Sequence, residues 1–92
     1  MNRMEYITLN GKEMLKKEDV HPYLKDKLSI KDYYGNNLDA LWDVLSSYNK
    51  ALQIELLHHD DLLENLGEYA QAIVQLFHDA TEENPRIEFK IR

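Results

Sequence analysis

A chain of 92 residues that is 43% apolar and 30% charged, with three Gly and two Pro, has the composition of a folded protein rather than of a disordered or fibrous one. At this length it is expected to form one domain, residues 1–92. The absence of cysteine excludes a disulfide framework, a thiolate nucleophile and any Cys-ligated metal, while a net charge of −6 argues against nucleic acid or an anionic membrane as the partner.

The first predicted element is a strand, Glu5-Tyr6-Ile7-Thr8-Leu9, rich in β-branched and aromatic residues and ended by the turn dipeptide Asn10-Gly11. Val20, Tyr23, Leu24 and Leu28 then recur at helical spacing. Pro22 belongs in a first turn, so this helix is expected to start near Glu18 or Asp19. Residues 31–37 read as a loop in which Gly35 permits unusual backbone angles and either Asn36 or Asn37 can cap a helix begun there. Leu38, Leu41, Trp42 and Leu45 fall at i, i+3, i+4 and i+7, which predicts a second helix of about three turns.

From Leu52 to Leu57, Leu52, Ile54 and Leu56 alternate with Gln53 and Glu55 as a second strand. A short third helix is expected near Leu62 to Leu66, capped by Asp60 or Asp61 and ended by Gly67. Tyr69, Ala72, Ile73, Leu76, Phe77 and Ala80 form the stripe of a fourth, which Asn84-Pro85 terminates. The strict alternation of Ile87 to Ile91 predicts a last strand with one buried face. Strands joined by helical crossovers pair in parallel, so the fold class expected is α/β, a small three-stranded parallel sheet packed against about four helices. No apolar run approaches the roughly 18 to 20 residues that span a bilayer, and the N-terminus does not read as a signal peptide, so a cytoplasmic protein is expected.

Charge is unevenly spread. Residues 1–31 and 84–92 are each net positive by two, whereas residues 32–83 hold eleven acids and the single base Lys50. Such a middle segment attracts a cationic partner, although acids of this kind also serve simply as a solvated surface. Asp39 and Asp43 stand out within it, because they lie four residues apart on one face of the second helix with no cation along that helix. Asp39 is in the first turn and is favoured by the helix dipole; Asp43 is past it. The repulsion is a few tenths of a kcal/mol in the wrong direction for stability, which marks the pair as a candidate for function beside the plainer reading of an ordinary helix face.

No catalytic constellation is predicted. Two carboxylates on one exposed helix lack a pocket that would separate their pKa values, and no serine or threonine sits in a nucleophile elbow. His58-His59-Asp60-Asp61 lacks the spacing of a zinc helix, and Gly11-Lys12 lacks the rest of a P-loop. Neither a metal nor a cofactor is expected. Tyr33, Tyr34, Trp42 and Tyr48 surround the acidic helix as the anchors of a protein interface do. Trp42 is on the apolar stripe and is expected to be at least half buried in the core, and one of Tyr33 and Tyr34 is expected to be presented.

The string Tyr33-Tyr34-Gly35-Asn36-Asn37-Leu38-Asp39-Ala40-Leu41-Trp42-Asp43 resembles the signature of the barstar family, inhibitors of barnase-type ribonucleases, and the likeness extends over nearly the whole chain. The resemblance implies three parallel strands with four helices, in which the second helix and the loop before it plug the nuclease active site. It implies that Asp43 takes the place of a substrate phosphate, that Tyr33 packs on the catalytic histidine and that Asp39 pairs with an arginine. Gly35, Asn37 and Trp42 match peripheral contacts, Tyr48 stands where another aromatic is common, and Asp79 replaces a glutamate that forms a salt bridge. The implied protein is a monomeric, non-catalytic inhibitor of a basic ribonuclease. The alternative is an immunity protein or regulatory module for a different basic toxin or a non-nuclease partner.

Overall fold

A computed structural model describes residues 4–30 and 35–92. In chain order it holds β1 (Glu5–Asn10), a 3-10 turn (Gly11–Glu13), α1 (Lys17–Lys27), α2 (Leu38–Ser46), β2 (Leu52–Leu57), α3 (His59–Leu66), α4 (Glu68–Glu83) and β3 (Ile87–Ile91). The strands form one sheet in the order β1-β2-β3, with both pairings parallel. The expected α/β architecture, three parallel strands and four helices, is the one found.

Register follows from the alternation. Ile7 pairs with Ile54 and Leu9 with Leu56 across β1 and β2, and Ile54 pairs with Phe89 across β2 and β3, so these side chains share the face that the helices cover. The buried core joins them to Val20 and Leu24 of α1, Leu41 and Leu45 of α2, Leu62 of α3, and Ile73, Phe77 and Ala80 of α4. Polar residues of the central strand are drawn in on the opposite face. Gln53 is only 9% exposed, and Glu55 holds Arg92 at 2.6 Å from its Nε. On β3 burial fades along the strand, from buried Ile87 through half-buried Phe89 to exposed Ile91. Among the described residues no helix is long and apolar enough to cross a membrane.

Two details differ from the sequence expectation. Helix α1 begins at Lys17, which places Pro22 in its second turn. Asp19 reaches back to accept the Lys16 amide at 3.2 Å and so closes a turn earlier than predicted. The bond that Pro22 cannot make would go to the Glu18 carbonyl, and both residues are exposed, where water can replace it. Helix α3 begins at His59 rather than near Leu62, and neither Asp60 nor Asp61 caps it. His58 instead takes a left-handed backbone (φ 58°, ψ 48°), its carbonyl accepts the Leu62 amide at 3.1 Å, and the two aspartates occupy the first turn, where the dipole favours them. The turn expected at Asn10-Gly11 is found, as a 3-10 turn in which Asn10 Oδ1 accepts the Lys12 amide.

Candidate protein-binding site

Helix α2 has nine residues, too few to persist alone in water, so its packing and caps decide where it lies. Leu41 and Leu45 are buried, and Leu38, Trp42 and Val44 are half-buried against the core. At about 3.6 residues per turn, Asp39 and Asp43 fall together on the side opposite Leu41 and Leu45, and both are exposed. Asn37 is the residue that caps the helix. Its Oδ1 accepts the Ala40 amide at 2.8 Å while its Nδ2 donates to the Gly35 carbonyl at 3.1 Å. Asn36 supplies the left-handed residue just before it (φ 54°). At the other end Ser47 Oγ donates to the Asp43 main-chain carbonyl at 2.6 Å, a bond that does not engage the Asp43 carboxylate.

Among the described residues no cation lies within ion-pair distance of Asp39 or Asp43; the ion pairs found are His58 with Asp61 and Arg92 with Glu55. The lysine that shares a cleft with Asp39 is otherwise engaged. Lys17 lines an open cleft with Asn37, Leu38, Asp39 and Tyr69, but its Nζ sits over the Tyr69 ring, 4.7 Å from the centroid. Tyr69 in turn is held from beneath by buried His21, whose Nε2 is 2.6 Å from the hydroxyl. Burial first, and the Lys17 charge second, push the His21 pKa below its ordinary value; burial raises that of Tyr69.

Asp79 belongs to the same side of the molecule. His78 meets the ring of Phe89, which puts β3 along one flank of α4, whereas Tyr69 lines the cleft beside Asp39, which puts α2 along the other. Asp79 shares the second flank with Ala72, Leu76 and Tyr69. Its carboxylate is exposed and accepts Gln75 Nε2 at 2.9 Å, a bond along its own helix that leaves further lone pairs to solvent. The structure thus brings Asn37, Asp39, Trp42, Asp43 and Asp79 around two neighbouring helices, with Gly35 leading into the first. Tyr33 and Tyr34 lie outside the described residues. Tyr48 is half-buried, and its hydroxyl donates to Glu5 Oε1 at 2.7 Å, so this aromatic ties α2 to β1. Burial, then that bond and the Glu5 charge, push its phenol up to about 12.

Asn84, which by sequence is only a helix stop, does more. It is 3% exposed, donates from Nδ2 to the carbonyls of Leu45 (2.9 Å) and Tyr48 (2.8 Å), and accepts the Arg86 amide on Oδ1 at 3.1 Å. It therefore closes the C-terminal end of α2 from the end of α4. Sequence spacing offered no sign of this, since residues 45 and 84 meet only in the fold.

Among the described residues no group of three or more His, Asp or Glu is arranged to hold a metal ion. An exposed carboxylate pair with no cation in reach among the described residues, on a capped and packed helix, offers oxygen acceptors to an external arginine or lysine. Comparison with known proteins gives the family. A Bacillus subtilis (strain 168) protein named "Putative ribonuclease inhibitor YrdF" is 39% identical over 89 residues, covering 96% of this chain and 97% of that protein. The sequence model of the family described as Barstar (barnase inhibitor), a family of inhibitors rather than enzymes, matches residues 4–92. With its three parallel strands, four helices and acidic α2, the chain belongs to the barstar family.

Proposed function

We propose that this chain, acting as one domain and as a monomer, inhibits a basic ribonuclease of the barnase type by setting α2 and the loop before it into the cationic active site. The observation that carries the reading is the pair Asp39 and Asp43, exposed together on α2 with no cation in reach among the described residues. Asp43 occupies the phosphate position and accepts the arginines and histidine of the enzyme; Asp39 and Asp79 take further cations at its edge. Tyr33 enters only through the family resemblance, as the aromatic against the catalytic histidine. Barnase and barstar are among the pairs from which rules about charged interfaces were drawn, so agreement with those rules is not independent support.

Support comes also from the arrangement of charge. The acids on α2 and α4 are held by a core that needs none of them, so they cost little to keep and remain hydrated until a partner arrives. The test is to mix the purified protein with a barnase-type ribonuclease and follow RNA cleavage at low and high salt. Inhibition that weakens with salt is expected. No inhibition at micromolar protein would overturn this reading and leave the immunity or regulatory role toward another basic partner, to which the shortened acid Asp79, bonded to Gln75, lends some weight.

A further inference from the structure

A rigid acidic surface made from two helices needs something to fix one helix against the other. Leu41 and Leu45 anchor the inner face of α2, but apolar contact alone permits sliding and rotation. A directional contact is required near Asp43, and the structure contains it. The carbonyls at the end of a helix have no partners within it. Here the Leu45 carbonyl in the last turn of α2, which also accepts the Tyr48 amide at 3.3 Å, and the Tyr48 carbonyl just past the helix converge on the two N–H bonds of one buried amide, that of Asn84.

The backbone of Asn84 belongs to α4. Its N–H donates to the Ala80 carbonyl at 2.8 Å, its carbonyl accepts the Ile87 amide at 3.1 Å, and its Oδ1 accepts the Arg86 amide. One side chain thus joins the end of α2, the end of α4 and the turn into β3. Asp43 is two residues before Leu45, and Asp79 is one turn and a residue before Asn84. From these facts we infer that Asn84 is a positioning residue for the inhibitory surface: it fixes the spacing between the carboxylates of α2 and that of α4, and so sets how long the partner stays bound without touching it. The inference rests on the proposed function for its consequence, though not for its geometry.

The charge argument makes it separable from an ordinary stability effect. Asn84→Ala leaves the net charge at −6, so electrostatic steering and the association rate constant stay as they were. Misplaced carboxylates raise the dissociation rate constant instead, by roughly tenfold or more. Merely structural damage lowers the fraction of folded inhibitor and leaves both rate constants of that fraction alone. Asn84→Ser, which keeps a short acceptor for the Arg86 amide but cannot bridge both carbonyls, serves if the alanine variant fails to fold.

Two measurements decide. The first is the pair of rate constants with a barnase-type ribonuclease for wild type, Asn84→Ala, Asp79→Ala and the double variant. Faster dissociation with unchanged association, and less than additive effects in the double variant, are expected, because the spacing matters less once Asp79 is gone. The second needs no nuclease. The chain has no cysteine, so spin labels at Asp43→Cys and Asp79→Cys report the distance between these positions alone, and Asn84→Ala is expected to shift or broaden its distribution. If the wild type fails to inhibit, the proposed function falls and the label distances still judge the clamp. An unchanged distance distribution, or a smaller amount of folded inhibitor with both rate constants unchanged, would overturn the inference.

Discussion

Gly11→Ala should destabilise the protein through space rather than backbone angle. A Cβ placed on Gly11 would stand 2.2 Å from the His58 carbonyl oxygen and 3.0 Å from Leu62 Cβ. Carbon and carbonyl oxygen settle at about 3.3–3.6 Å, so the gap is short by more than about 1 Å. The obstacle is main chain, not the tip of a flexible side chain. Moreover, that oxygen accepts the first bond of α3, from Leu62 N–H at 3.1 Å, and its residue already holds a left-handed conformation. Overpacking of a tight interior costs about 1–3 kcal/mol, and the loss of one backbone bond adds about 1 kcal/mol. Reduced freedom of the unfolded chain returns about 0.4–1 kcal/mol.

The expected net loss is therefore about 1–3 kcal/mol. In a domain of this size each kcal/mol lowers Tm by roughly 4–8 °C. Urea unfolding followed by circular dichroism measures it, and hydrogen exchange at the Leu62 amide should accelerate beyond the global effect. Gly67→Ala is the contrasting case: nothing lies within 4 Å of its added Cβ, but its φ of +57° and ψ of −124° suit glycine, so its loss of about 1–3 kcal/mol comes from the backbone and leaves the start of α3 protected. Stability of Gly11→Ala within about 0.5 kcal/mol of wild type, with Leu62 exchange unchanged, would refute the reasoning.

Asp43→Ala should weaken inhibition most, by at least about 2 kcal/mol, with Asp39→Ala and Asp79→Ala below it; inhibition constants at one ionic strength rank them, and equal binding by Asp43→Ala removes the assignment. His21 has its pKa lowered by burial, so the stability it contributes is complete above the unfolded value of 6.5 and is lost as pH falls from there toward the lower folded value. Urea midpoints at neutral and mildly acidic pH should show this drop, and His21→Gln should flatten it. For Tyr48 the sign is the reverse, because its folded pKa is raised from 10.0 to about 12: the contribution is present below pH 10 and disappears as pH climbs through about 12. Ultraviolet titration of the phenolates should find a group titrating near pH 12, and Tyr48→Phe should abolish that step.

Periodic elements were legible because their signal is local. Alternation across Leu52–Leu57 and Ile87–Ile91 and the four-residue recurrence of Leu38, Leu41, Trp42 and Leu45 gave elements of the right kind in the right places. Starts of helices were harder. The His58 backbone is left-handed at the passage from β2 to α3, and although His tolerates that conformation better than most residues, it takes it too seldom to announce a helix start. Asn10-Gly11 announced a turn correctly, yet the need for glycine there is the approach of the His58 carbonyl, a contact 47 positions away along the chain. The acidic pair was visible as a break with helix-stabilising habit, whereas Asn84 was not, since its role is defined by carbonyls of another helix.

The two kinds of legibility meet in α2. A nine-residue helix that carries two aspartates at i, i+4 and no cation gains nothing from its own charges, and its Asp43 stands beyond the turn where the dipole helps. Its stability must come from outside, and the structure shows amides at both ends: Asn37 closes the first turn, and Asn84 Nδ2 donates to the carbonyls of Leu45 and, just past the helix, Tyr48. Neutral amides satisfy those ends without placing a cation beside the acids, as a lysine near the C-terminus would. Capping by amides thus keeps the helix folded without a cation of its own beside the carboxylates. Ser46→Lys, one turn from Asp43 toward the C-terminus, tests the point: it should raise helix stability by about 0.3–0.5 kcal/mol while weakening inhibition, and a gain in both would show that the missing cation has no bearing on function.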